Sequence, residues 1–219
     1  MLAWRDIQTV FLDMDGTLLD LHFDNYFWLK HVPIRYAEHR SLTLEAAHHE
    51  LMQRYNSVAG TMQWYCVDYW SRELNLDIAQ LKQEVTHLIA VHPLVVPFLQ
   101  QLRAAGKRVV LLTNAHHKSL TLKMQKTGLN PHFHAMISAH SVGIPKENPD
   151  FWQRLQDVEP FNPQETLLID DSLPVLRSAR GYGIKHLLAI YQPDSQQPRK
   201  QVEDFLAIDS FEQILPILE

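Results

Sequence analysis

Three apolar runs in this chain each end in side chains that could do chemistry. Thr9-Val10-Phe11-Leu12 leads into Asp13-Met14-Asp15-Gly16-Thr17, Arg108-Val109-Val110-Leu111-Leu112 into Thr113-Asn114, and Thr166-Leu167-Leu168-Ile169 into Asp170-Asp171-Ser172. Four carboxylates gathered at one spot repel each other and need a cation. A hard divalent ion with oxygen ligands meets that need, and Mg²⁺ is the best match, with Mn²⁺ a possible substitute. Lys146 adds a cation, and Thr113 and Asn114 add polar donors. Carboxylates around such an ion, next to an ammonium, make a site for phosphate oxygens. Singly these features are weak. An Asp-x-Asp after a strand is more often a solvated turn, Asp170-Asp171-Ser172 alone could be a helix N-cap, and an isolated lysine usually lies on the surface. Their combination displaces those readings.

The elements that must position these residues follow from patterning. Short Val/Ile/Leu runs without polar alternation read as strands buried on both faces, which belong to parallel sheets covered by helices. Residues 135–138 and 185–190 read as two further strands. Helical spacing is expected over 94–105 (stopped by Gly106), 117–127 (stopped by Gly128) and up to about 158 after an Asn148-Pro149 N-cap. Another helix is expected over 173–180, capped by Ser172 and ended by Gly181. The fold class is therefore α/β, a doubly wound parallel sheet, in which ligands sit beyond the carboxyl ends of strands.

Residues 20–91 break this rhythm. They show helical patterns over 24–38, 43–55, 61–74 and 77–89, with a capping box at Asp77 and Gln80, and they concentrate Phe23, Tyr26, Phe27, Trp28, Trp64, Tyr65, Tyr69 and Trp70. They read as a helical insertion, leaving 1–19 and 92–219 as the sheet domain. Aromatics at helical spacing are more often core than ligand platform. Asp24, Asn25 and Asp68 read as caps or solvated faces, His116 as a loop histidine without a role, and Cys66 as buried within a helix. After Tyr191 come a polar loop and a short final helix with a capping box at Ser210 and Gln213.

Composition bounds the function. The 219 residues carry a net charge of −5, which gives no general attraction to nucleic acid or to an anionic membrane. An anionic substrate must therefore be held by a few placed cations or a metal. A hydrophobic content of 46% excludes a disordered chain, and the single cysteine excludes an intrachain disulfide. Thirteen scattered histidines without cysteine partners or a His-x-x-Glu-His pattern give no expectation of a zinc site. With neither a secretory signal nor a spanning stretch, the expectation is a cytoplasmic protein. The oligomeric state stays open.

Asp13-Met14-Asp15-Gly16-Thr17-Leu18, Leu111-Leu112-Thr113-Asn114, Lys146 within Gly143-Ile144-Pro145-Lys146-Glu147, and Leu168-Ile169-Asp170-Asp171-Ser172 resemble, in order and spacing, the four motifs of the haloacid-dehalogenase-like (HAD) phosphohydrolases. The resemblance implies a Rossmann-like core and an aspartyl-phosphate formed on Asp13. Asp15 would protonate the leaving oxygen and then activate water. Mg²⁺ would be held by Asp13, the Asp15 main-chain carbonyl and Asp170, with Asp171 in support, while Thr113, Asn114 and Lys146 bind the phosphoryl oxygens. Asp15 separates the chain from the dehalogenases of that superfamily, since a halide needs no acid. The insertion stands where the superfamily places its C1-type helical cap. Asp24-Asn25-Tyr26-Phe27-Trp28 and Trp64-Tyr65-Cys66-Val67-Asp68-Tyr69-Trp70 resemble the bacterial purine 5′-nucleotidases acting on GMP and IMP, so Trp64, Tyr65 and Trp70 are candidate substrate contacts. The alternatives are a phosphatase of sugar phosphates or phosphoglycolate, a sugar phosphomutase, and a non-enzymatic phospho-receiver switch, which would have no comparable cap.

Overall fold

The computed structural model describes residues 2–217. Strands β1 (Thr9–Leu12), β2 (Arg108–Thr113), β3 (Ala135–Ser138), β4 (Thr166–Asp170), β5 (His186–Ile190) and β6 (Ala207–Ile208) form one parallel sheet in the order β3-β2-β1-β4-β5-β6. The two-residue β6 ends the short apolar run Phe205-Leu206-Ala207-Ile208, and the sequence reading does not anticipate it.

Side chains alternate between the faces. Val10, Leu12, Val109, Leu111, Leu167 and Ile169 pack into one hydrophobic cluster, while Phe11, Val110, Leu112 and Leu168 pack into the other. This is the period of two expected of a pleated strand, with both faces buried. Leu12 pairs with Leu111 on one side and with Ile169 on the other, so the residues that follow these three strand ends are forced together.

The helices α7 (Val95–Ala104), α8 (His117–Thr127), α9 (Ala139–Val142), α10 (Phe151–Val158) and α11 (Leu173–Tyr182) cover the sheet after β1. Two of their ends differ from expectation. Asn148 Oδ1 accepts from the Asp150 N–H in a local turn, so α10 begins at Phe151 rather than at Pro149. Gly181 lies inside α11, which ends at Gly183 with φ +103°, and Ser172 makes no side-chain cap bond. At the chain's end, Gln213 Oε1 accepts from the Asp209 N–H instead of completing a box with Ser210, whose hydroxyl accepts from the Glu212 N–H.

Between β1 and β2 run α1 (His22–Tyr26), a π turn (Phe27–His31), α2 (Val32–Arg40), α3 (Leu44–Val58), α4 (Met62–Tyr65), α5 (Val67–Leu74) and α6 (Ile78–Glu84). The first expected helix is thus one run with a widened turn in its middle. Pro33, which has no N–H and would strike the carbonyl four residues back, stands two residues past the end of that turn, and the wider winding accommodates it. The helix expected over 61–74 breaks at Cys66, whose backbone is extended (φ −90°, ψ 109°).

The excursion leaves and returns through one antiparallel pairing. The Asp20 N–H donates to Ala90 O at 2.9 Å, and the His92 N–H donates to Leu18 O at 2.9 Å. The turn just before it needs Gly16, which has φ +85° and lies so close to Asp171 that a Cβ would come within 2.8 Å of its Cγ. Gly16→Ala combines a left-handed backbone with that clash and is expected to lower stability by about 2–3 kcal/mol, measured by urea unfolding.

Candidate active site

Asp13 is the first residue past β1, and the site is built on its carboxylate. The ammonium of Lys146, carried by the loop after α9, donates to Asp13 Oδ1 at 2.6 Å, to Asp170 Oδ2 at 2.7 Å and to Leu112 O at 2.9 Å. Those bonds use all three of its N–H groups. Asn114 fixes this loop, its Oδ1 accepting from the Lys146 N–H at 2.9 Å and its Nδ2 donating to Glu147 at 2.8 Å. The other oxygen of Glu147 accepts from the Tyr65 hydroxyl at 2.8 Å, so a side chain of the insertion is tied to the loop that carries Lys146. Thr113 is buried with its Oγ1 accepting from the Ala115 N–H, and Asp170 Oδ1 accepts from the Ser172 N–H.

Asp13, Asp170 and Asp171 offer carboxylate oxygens that lie within 4.8 Å of one another. Burial drives the Asp13 carboxyl well above its ordinary range. Lys146 opposes the shift, and Asp170, Asp171 and Asp15 add to it. Burial likewise pushes Asp171 up to about 6, against the pull of Lys200. Burial alone would lower the Lys146 pKa, but its two carboxylate partners outweigh it and hold the ammonium charged. The cluster therefore has more negative charge than its lysine can offset. An all-oxygen donor set with that surplus fits a hard divalent cation.

A second chain of charges runs from Asp15 into the insertion. Lys123 of α8 donates to Asp15 Oδ1 and to Asp24 Oδ2, each at 2.6 Å, and Lys82 of α6 donates to Asp24 Oδ1 at 3.1 Å while lying 4.3 Å from the Phe27 ring centre. Burial and the Asp24 charge raise the Asp15 pKa, with Lys123 opposing. Burial works against ionised Asp24, but Lys123 and Lys82 prevail and its pKa falls. The sequence reading misses both lysines. A signal was present, because each occupies the apolar stripe of its helix: Lys82 follows Ile78 and Leu81, and Lys123 stands between Leu120 and Met124. Asp24, read as a cap or solvated face, is instead the hub of this chain. Asn25 is tied to the loop after β5, where its Nδ2 donates to Asp194 at 2.7 Å.

A cavity of about 340 Å³ is lined by Asp13, Asp15, Thr113, Asn114, Lys146, Asp170 and Asp171, and also by Trp28, Tyr55, Trp64 and Tyr65. The structure thus brings the candidate residues of all four motifs to one space, together with two of the three aromatic candidates. Trp70 is placed elsewhere. It is 1% exposed, its Nε1 donates to Trp64 O, and it packs edge-to-face on Tyr55. His116 lines the cavity and caps α8, its Nδ1 accepting from the Lys118 N–H. Cys66 is half-buried at the break before α5, where its Sγ accepts from the Tyr69 N–H.

Comparison with known proteins adds an independent line. Residues 7–183 match the haloacid dehalogenase-like hydrolase family. The chain is 40% identical over 217 residues to the GMP/IMP nucleotidase YrfG of Escherichia coli K12, covering 99% of this chain and 98% of that protein. It is 26% identical over 149 residues to a phosphoglycolate phosphatase of Vibrio vulnificus, covering 68% of this chain and 64% of the relative. Among solved structures, a HAD phosphatase from Thermococcus onnurineus superposes with a TM-score of 0.76 at 20% identity, covering 95% of this chain and 96% of that one.

Lys123→Met strands the Asp15 and Asp24 carboxylates against each other, and unfolding in urea is expected to show a loss of about 3–5 kcal/mol. Adding Asp24→Asn to that variant should restore part of the loss. A single-variant loss below about 1 kcal/mol would mean that the ion chain contributes little.

Proposed function

This chain belongs to the haloacid dehalogenase-like hydrolases, and from that premise we propose that it is a Mg²⁺-dependent phosphomonoesterase that hydrolyses purine nucleoside monophosphates, GMP and IMP. The observation that carries this reading is a single cavity lined both by the Asp13–Lys146–Asp170 cluster and by the rings of Trp28, Tyr55, Trp64 and Tyr65. A phosphoryl group at the carboxylates leaves its esterified group among flat apolar faces, which suits a base. The extended identity to a GMP/IMP nucleotidase, insertion included, supports the same choice.

In this mechanism the Asp13 carboxylate attacks phosphorus in line, the bond to the leaving oxygen breaks, and an aspartyl-phosphate forms. Lys146, anchored to Asp13, Asp170 and the Leu112 carbonyl, fixes the nucleophile's orientation and sets positive charge beside the transferring oxygens. The Thr113 hydroxyl and the Asn114 region supply neutral donors. Asp15 gives its proton to the departing nucleoside oxygen and then takes one from the water that splits the acyl phosphate. Its raised pKa favours carrying that proton, and Lys123 holds the side chain in place. Mg²⁺, held by Asp13, Asp170 and the Asp15 carbonyl with Asp171 in support, would neutralise charge as the two anions approach.

Residues 20–91 act as a cap over a core made of 1–19 and 92–219, with the paired segments at Leu18–Asp20 and Ala90–His92 as its hinge. Closure excludes water and presents the aromatic wall to the substrate. Among the described residues, no helix is long and apolar enough to cross a membrane.

Phosphate release from a panel of phosphate esters with Mg²⁺ should be greatest for GMP and IMP and should vanish on chelation. Asp13→Asn should abolish turnover in a folded protein, and retained activity would mean another nucleophile. Loss of one base contact is worth about 1–3 kcal/mol, so Trp64→Leu should raise KM for GMP roughly tenfold or more while leaving KM for a small aliphatic phosphate near that of the unaltered protein. Equal changes for both substrates would assign Trp64 to packing.

A further inference from the structure

Cys66, His116 and His140 are far apart in sequence, yet each offers a ligand atom, and these atoms lie within 4.8 Å of one another. They come from three elements. Cys66 stands at the break between α4 and α5 of the insertion, His116 caps α8, and His140 lies on α9. The phosphatase chemistry uses none of the three as a reacting group. The two imidazoles meet edge-to-face with ring centres 4.8 Å apart, and His140 Nε2 is buried without a hydrogen-bond partner. Burial, with the nearby His116 and His117, pushes His140 down to about 4, so its ring stays neutral and keeps a lone pair.

A thiol and two imidazoles form a borderline-soft donor set. It differs in kind from the all-oxygen cluster around Asp13, and Mg²⁺ does not select it. A tetrahedral zinc ion with bonds of about 2.0–2.3 Å spaces its donors by roughly 3.5 Å, so modest side-chain rotations close this site. A carboxylate is at hand for the fourth position, since Asp68 Oδ2 lies 3.8 Å from His116 Nε2. The Cys66 sulfur is already held in place by the Tyr69 N–H.

We propose that Cys66, His116 and His140 form a second metal site, which takes a borderline-soft divalent ion such as Zn²⁺ and binds the insertion to the sheet domain. Binding releases the Cys66 thiol proton and replaces the S–H with a metal–sulfur bond. One ligand belongs to the insertion and two to the sheet domain, so an occupied site opposes their separation. It also commits His116, which lines the cavity, to the metal. The ion would therefore act as a brake on substrate exchange, independent of the ion at the carboxylates.

The test uses the full-length, reduced, metal-free protein in saturating Mg²⁺, titrated with Co²⁺ and followed by absorption. One equivalent should produce a thiolate-to-cobalt charge-transfer band in the near ultraviolet together with tetrahedral visible bands, and one equivalent of Zn²⁺ should bleach both. Cys66→Ser keeps an oxygen to cap α5, so it should unfold at the same urea midpoint as the unaltered protein but show no charge-transfer band. His140→Ala should weaken Co²⁺ binding at least tenfold. Turnover in saturating Mg²⁺ should fall with added Zn²⁺, and Cys66→Ser should raise the inhibitory concentration at least tenfold. No charge-transfer band from the folded protein would overturn the site, whatever the substrate proves to be. Equal Zn²⁺ inhibition of both proteins would overturn the brake and point to zinc among the carboxylates.

Discussion

Five aspartates, Asp13, Asp15, Asp24, Asp170 and Asp171, are paired with four ammonium groups, those of Lys82, Lys123, Lys146 and Lys200. Taking like charges out of water into one region costs several kcal/mol per ion unless each is matched. The positions of these lysines follow from that constraint. Lys146 stands between Asp13 and Asp170, Lys123 between Asp15 and Asp24, Lys82 backs Asp24, and Lys200 reaches Asp171 from the loop after β5. The count still leaves one negative charge in excess, concentrated where Asp13, Asp170 and Asp171 converge. That excess is what a divalent cation relieves.

The same pairing joins the two parts of the molecule. Asp15 follows β1, Lys123 lies on α8, and Asp24 and Lys82 belong to the insertion, so one line of alternating charge crosses the seam. Tyr65 to Glu147 makes a second crossing, and Lys118 to Asp68, at 2.6 Å, a third. The third is the most exposed and so contributes least. The first runs directly to the residue assigned to proton transfer. If the insertion moves as the proposed cap, Asp24 moves with it, and Lys123 would pass that displacement to the Asp15 carboxylate.

Donor softness separates the two clusters of candidate metal ligands. The carboxylates at the strand ends present only oxygen, whereas the cluster at the break before α5 presents sulfur and nitrogen. Counting residue types along the chain gave no reason to expect the second cluster, because a lone cysteine and scattered histidines have no ligand spacing. Their convergence depends on where α4 stops and on how α5 packs toward α8 and α9.

The five longer strands and their ends, and with them the gathering of Asp13, Thr113 and Asp170, were legible in the residues. An apolar run buried on both faces leaves few alternatives to a parallel strand, and the parallel sheet does the rest. The helical character of 20–91 was legible for a similar reason, but its breaks were not. The widened turn is one of several ways a helix can accommodate Pro33, and the extended backbone at Cys66 follows Tyr65, which is tied to the distant Glu147. Lys82 and Lys123 show the limit most clearly. Each stands out as a charge on an apolar stripe, which says that something must neutralise it, but only the fold names the partner. Local sequence fixes which backbone forms and which face is buried, because those are short-range preferences. Which charge meets which, which tryptophan lines the cavity and which stays in the core, and which two histidines the one cysteine meets are set by packing between elements that the chain brings together only when it folds.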